Sequence, residues 1–346
     1  MVFAINKKLP PPALFFAAAI IYAAFAGWLF WPHLNKFAGS QRIFLITPVV
    51  SAAGVFLLGR RYVNSFVACF FAGVIYGFGP FASAFYCGYH PFAALIYACL
   101  PWTFIPAVFL YKLPKAGDNK MVSLSNQTTN LLSAVLSLLP FIFVIACFAL
   151  AAMPRYCLIP IPIGTAVSAK SFSAIVTPLS FSVDAFSVGF YHAPFGALIV
   201  GLVLFFKTRR FWTAALFVLA VCLSFYKPLL NVPAVFWLSL PVLICSIICA
   251  EGFEAMTLAG KADSNWLLLS AAALIFQAGL NFALAKSFAF PLPVGLSAIA
   301  IIAVLFIFFI ARSGLALHLL RMAVLYISVF IDIVIVTRHI IDKIFG

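Results

Sequence analysis

Only seven acidic side chains occur in the chain, and those set in apolar sequence are the ones whose chemistry matters most. A carboxylate inside a membrane segment is costly, so each such residue is a candidate for function. Asp332 lies in the apolar run Met322–Thr337. On helical spacing His318, Arg321, Leu325, Ser328, Asp332, Ile335 and His339 follow steps of three and four and share one face. Five of these seven are polar, whereas the opposite face is Leu, Val, Ile, Tyr and Phe. Asp332 sits about seven residues from the end of the predicted helix, about 10 Å at 1.5 Å per residue, too deep for its short side chain to reach water easily. Arg321, about 16 Å away along the same axis, cannot pair with it. The stripe suits a proton- or ion-linked polar track, or a counter-charge for a substrate. The competing reading is a packing role, in which Asp332 pairs with a base from another helix. Both turn this face inward.

Three further groups are candidates for a substrate or ion pathway. Asp184 sits in the Ser-rich stretch Phe181-Ser182-Val183-Asp184-Ala185-Phe186-Ser187, which suits either a cavity-lining discontinuous helix or a loop at the water interface. Glu251 and Glu254 are three residues apart at the end of the apolar block Val232–Ala250, on one side if the helix continues. Paired carboxylates can exchange protons or hold a cation; the simpler expectation is a solvated helix end. His90 and His192 occur in similar contexts, Tyr89-His90-Pro91 and Tyr191-His192-Ala193-Pro194, each at the mouth of a Pro-led helix. Neither helix carries a second His, so hydrated interfacial histidines are expected rather than haem ligands. The eight Cys lie mostly alone in apolar blocks, where Cys acts as a small hydrophobe. No C-x-x-C, zinc spacing, phosphate-binding Gly loop, H-E-x-x-H or G-x-S-x-G occurs. Neither a metal nor another cofactor is expected.

These residues must be positioned by membrane helices. Apolar residues make up 66% of the 346 and charged residues 8%, against about 25% charged in soluble domains. The apolar residues form blocks near the 20 residues that a helix needs to cross about 30 Å of hydrocarbon. The alternation of barrel strands is absent. Eleven blocks stand out: 13–31, 43–58, 62–79, 91–111, 131–153, 194–206, 211–226, 232–250, 266–284, 294–311 and 322–337. The expected fold is therefore an all-α polytopic bundle of about eleven spans, within a range of ten to twelve. Many spans are Pro-kinked, and the whole of 1–346 forms one membrane domain with no separate soluble domain. The first block contains Ala24-Phe25-Ala26, which resembles a signal cleavage site. Its apolar run continues to Trp31, so a retained first helix is expected. Ser173–His192, with Pro178 and Asp184, reads as a span, a half-helix or a re-entrant segment.

The net charge of +14 does not indicate nucleic acid, because the bases sit singly or in pairs at block ends, as at Arg60-Arg61 and Lys207-Thr208-Arg209-Arg210. That is the positive-inside signal. With the N-terminus inside, thirteen bases fall inside and eight outside. A single crossing at Ser173–His192 would reverse every later segment. The longest polar loop, Lys112–Asn130, faces inside either way, which leaves the glycosylation pattern Asn126-Gln127-Thr128 unused. The Tyr-His-Pro match and a second match, Gly54–Pro80 with Gly201–Pro228, have offsets of 102 and 149 residues. No one tandem duplication produces both.

Ala193–Met256 is similar in general character to polytopic bacterial membrane proteins, without a motif specific to any family. The expected location is the bacterial cytoplasmic membrane, with the N-terminus cytoplasmic. The function expected first is a permease or flippase moving a small or lipid-linked substrate, in contact with membrane lipids. The alternatives are a membrane-embedded transferase on a lipid-linked substrate and a membrane subunit docked to other subunits through the last helix. The predicted first outside loop, Pro32–Arg42, lacks the carboxylate that lipid-linked glycosyl transfer generally needs, which weakens but leaves open an enzymatic role. Orientation has a direct check. A cysteine replacing Ser123 should resist an impermeant reagent in intact cells and react once the membrane is permeabilised; reaction in intact cells would invert the topology.

Overall fold

The computed structural model describes residues 11–36, 42–83, 91–110, 131–151, 192–207, 210–226, 232–285, 292–313 and 317–345. Its secondary structure is helical, with no β-strand element among the described residues. Among the described residues, eleven α-helices of thirteen residues or more fall on the eleven apolar blocks: α1 Pro12–Phe30, α2 Ile43–Gly59, α3 Phe66–Phe78, α4 Pro91–Leu110, α5 Leu139–Ala151, α6 His192–Lys207, α7 Phe211–Phe225, α8 Ser239–Leu258, α9 Ser264–Ala285, α10 Leu292–Ser313 and α11 His318–Phe345. Among the described residues, seven helical segments are long and apolar enough to cross a membrane, and three shorter apolar helices accompany them. The chain is thus a multi-pass membrane protein. Pro48 lies inside α2, and Pro101 and Pro106 lie inside α4. Several boundaries differ from the sequence pattern: α5 begins only at Leu139, after a turn at Ser137-Leu138 inside the expected block. The block expected at Val232–Ala250 begins with a 3-10 turn, Ala234–Leu238, and its α-helix runs on through both glutamates to Leu258. The last helix likewise extends from His318 to Phe345, well past both ends of its apolar run.

The helices pack in two groups. One is built on α2, which touches α1, α3 and α4, with α5 against α4. The other joins α6 to α8, α9 and α10, with α10 against α11. Helix α8 links the groups because it also packs on α3, α2 and α11. It is enclosed accordingly, with 89% of its apolar window buried against 28% for α1.

Between lipid-embedded helices water offers little drive, so close backbone approach through small residues matters more. A β-carbon on Gly252 of α8 would lie 1.9 Å from the Ala197 carbonyl oxygen of α6, and one on Gly201 of α6 would lie 2.1 Å from that of Ile248. The pairs 197–252 and 201–248 step in opposite directions, as antiparallel helices require. Gly73 and Gly77 of α3 approach Ala52 and Pro48 of α2 in the same way, at 2.6 Å each. Polar side chains reach across to neighbouring backbone. Tyr76 of α3 and Tyr97 of α4 stack at 4.5 Å, and each hydroxyl donates to the other residue's carbonyl. Tyr22 of α1 donates to the Phe70 carbonyl, and Trp102 of α4 to that of Val50.

These seams set the cost of adding a methyl group. Gly252→Ala and Gly201→Ala should each cost about 1–3 kcal/mol through overpacking, read as a lower melting temperature in detergent. Gly279→Ala, where a β-carbon meets nothing within 4 Å, should leave the melting temperature unchanged or slightly raised.

Candidate functional site

One end of the bundle gathers most of the described charge. It is formed by the α2–α3 connection, the start of α7, the end of α8 and the start of α11. Helix α3 begins at Ser65, whose hydroxyl accepts from the Ala68 amide as an N-cap. That leaves the preceding amides to be satisfied from outside the helix. Glu254 of α8 does so, accepting from the Asn64 amide at 3.1 Å and the Ser65 amide at 3.0 Å. A carboxylate there also meets the positive end of the α3 dipole. Arg60, the C-cap of α2, donates to the Asn64 carbonyl and brings positive charge to Glu254 and Cys69.

One turn earlier on α8, Glu251 accepts from Arg210 at 2.5 Å. The Arg210 guanidinium also lies 4.8 Å from the centre of the Tyr62 ring. One glutamate therefore faces the first helix group and the other faces the α6–α7 corner of the second. The expectation of a solvated helix end fails here: Glu251 and Glu254 are 5% and 4% exposed. The carboxylates are not water-facing because α8 continues past them between the groups.

Arg321 of α11 belongs to the same end. It donates to the carbonyl of Ala259, the C-cap of α8, at 2.6 Å, where a cation offsets the negative end of that dipole. Five residues on, Tyr326 stacks on Phe71 of α3 at 4.9 Å and tilts against Phe253 of α8 at 5.7 Å. Trp212 of α7 donates to Ser137, and Ser133 donates to the Ala107 carbonyl of α4, so the end of α4 and the approach to α5 stand here too. At the opposite end His33 meets Asp342 at 2.9 Å, and Thr337 donates to the Phe78 carbonyl. Tracing the helices between these fixed points puts Ala151 at the end of α5 and His192 at the start of α6 on the same side, away from the charged end.

The stripe on α11 behaves as its spacing implies over its middle. Arg321, Leu325, Ser328 and Asp332 are all buried, Asp332 at 2%. His318 is exposed and Ile335 and His339 are half-buried. Beyond Asp332 the buried face passes instead through Val336 and Thr337, because a helix of 3.6 residues per turn drifts from a strict 3.5-residue repeat. Asp332 is not left without a partner. Gln277 of α9 and Ser297 of α10 are also fully buried and engaged. Counted from the helix ends at the charged side, these three lie about 20–24 Å along adjoining helices at 1.5 Å per residue. Sequence reasoning singled out Asp332 but not Gln277 or Ser297, which no spacing rule ties to it. It also missed Arg60 and Arg210 as site residues, reading them as topology signals.

Asp184, His90 and the segment 173–192 up to its last residue lie outside the described residues; of His192 only the backbone, at the start of α6, is described. Among the described residues no three His, Cys, Asp or Glu side chains gather as metal ligands. No known protein family, curated protein or solved structure matches the chain.

The Arg210–Glu251 pair carries its own test. Arg210→Met leaves a buried carboxylate unpaired and should cost about 3–5 kcal/mol, whereas replacing both residues with apolar ones restores most of that. A double-mutant cycle on thermal unfolding checks it; strictly additive losses would mean that the two residues are not coupled.

Proposed function

We propose that this chain is a permease or flippase of about eleven spans, moving a small or lipid-linked substrate. The observation that carries the reading is that Asp332, Gln277 and Ser297 are each buried at a similar depth along adjoining helices. A carboxylate held this deep among apolar helices is costly and earns its place most readily by meeting a proton, an ion or a polar substrate. The charged end supplies a gate, since Glu254 and Glu251 tie α8 to both groups at one side. The membrane-subunit alternative loses its docking face, because the centre of the α11 stripe is buried within the chain itself. The transferase alternative has no added support from the described residues.

The proposed location is a bacterial cytoplasmic membrane with the charged end inside. Arg60, Arg61, Lys207, Arg210, Lys261, Arg312 and Arg321 belong to that end, against Lys36, Arg42, Arg338 and Lys343 at the other. With Ala151 and His192 on one side, the N-terminus is cytoplasmic and the C-terminus is not.

Cys69, buried in α3 beneath the Glu254 contact, is a native reporter of gate opening. Its alkylation, mapped by peptide mass, should proceed well below the melting temperature. Glu254→Gln, which keeps the shape and weakens the contact to α3, should speed it severalfold. Asp332→Asn should shift the rate severalfold with the melting temperature held. A Cys69 rate that only follows global unfolding in all three proteins would rule out the gate. Lost stability in Asp332→Asn with an unaltered rate would assign Asp332 to packing.

A further inference from the structure

At the end opposite the charge cluster, an open groove of about 440 Å³ runs between α1 and α11, lined by Gly27, Trp28, Trp31, Pro32 and Arg338. We infer that this groove seats the headgroup of a zwitterionic phospholipid bearing a primary ammonium, such as phosphatidylethanolamine. The inference does not depend on the transport reading, because such a seat fills whether or not the chain moves a substrate.

The order of the groups along the bundle matches the order of groups in such a lipid. Deepest is Gly27, where a β-carbon would meet nothing within 4 Å, beside Trp28, which is 50% exposed. Together they offer an apolar trough for the glycerol and the upper acyl chain. Next come Trp31, 72% exposed, and Pro32, at the level where indole rings favour the headgroup boundary. Across from them stands Arg338, an exposed guanidinium whose fork suits a phosphate. One turn further out on the same face, about 6 Å on, is Asp342. His33 holds one of its oxygens at 2.9 Å, while the other lies 3.9 Å from the Arg338 Nε. That is longer than a hydrogen bond and leaves the second oxygen room for an ammonium donor. A phosphate on Arg338 and an ammonium on Asp342 would satisfy both charges at once. A choline headgroup has no N–H to donate, and a glycerol headgroup carries no positive charge.

The test uses the full-length protein reconstituted in nanodiscs of mixed phosphatidylethanolamine, phosphatidylcholine and phosphatidylglycerol, with retained lipid read by native mass spectrometry. Wild type should keep one phosphatidylethanolamine in preference to the other two. Gly27→Leu fills the groove from a position with open space, so it should fold normally and abolish retention. Arg338→Gln should weaken retention by about tenfold or more, the size of one charge-assisted hydrogen bond. Asp342→Asn should remove the preference over phosphatidylcholine. Equal retention of all three lipids by wild type overturns the proposal, as does a preference for phosphatidylglycerol. Retention unchanged in a folded Gly27→Leu protein places the lipid elsewhere and overturns it as well.

Discussion

A helix enclosed on nearly every side cannot carry carboxylates into its last turns unless its neighbours supply donors there. Helix α8 does carry them, and much of the arrangement around it follows. Glu254 can be buried because α3 starts beside it with two free amides, and Glu251 can be buried because Arg210 stands at the start of α7. Charge in a low-dielectric setting tolerates few other solutions. The two helix groups are consequently held in one register at this end, with α8 as their shared member.

The glycine seams make that arrangement possible. With Gly201 and Gly252 in place, α6 and α8 approach until backbone meets backbone, which puts the α6–α7 corner, and Arg210 with it, within reach of Glu251. Gly73 and Gly77 do the same for α3 on α2, fixing where the Asn64 and Ser65 amides face. Packing and electrostatics are thus coupled: a wider seam on either side of α8 would strand a carboxylate. Among the described residues, the contacts that join helices at the opposite end include the Thr337 bond to Phe78 and the His33–Asp342 pair, beside an open, tryptophan-lined groove.

The helices themselves were legible in the sequence because hydrophobic block length is a strong physical signal in a chain with so few charges. All eleven blocks carry an α-helix. The inward face of α11 was legible too, since Arg321, Ser328 and Asp332 repeat at helical spacing against an apolar opposite face. The burial of Glu251 and Glu254 was not legible in the local sequence. A charged residue after an apolar run looks like the membrane boundary, and nothing local distinguishes a boundary from a helix continuing into a protein interior. That distinction depends on Asn64, Ser65 and Arg210, which are about 190 and 41 positions away. Gln277 and Ser297 escaped notice for a similar reason: a lone polar residue in an apolar helix acquires meaning only once its depth can be matched to Asp332.

The Glu254 carboxylate, buried on α8, holds the beginning of α3 and so joins the two helix groups. Hydrogen exchange at the Asn64 and Ser65 amides measures this most directly, because those protons are the ones that the carboxylate accepts. In the native membrane-reconstituted protein they should exchange slowly, and Glu254→Gln should release both while leaving the amides in the middle of α3 protected. Rapid exchange of Asn64 and Ser65 in the wild-type protein, or protection indifferent to Glu254→Gln, would mean that Glu254 does not hold α3.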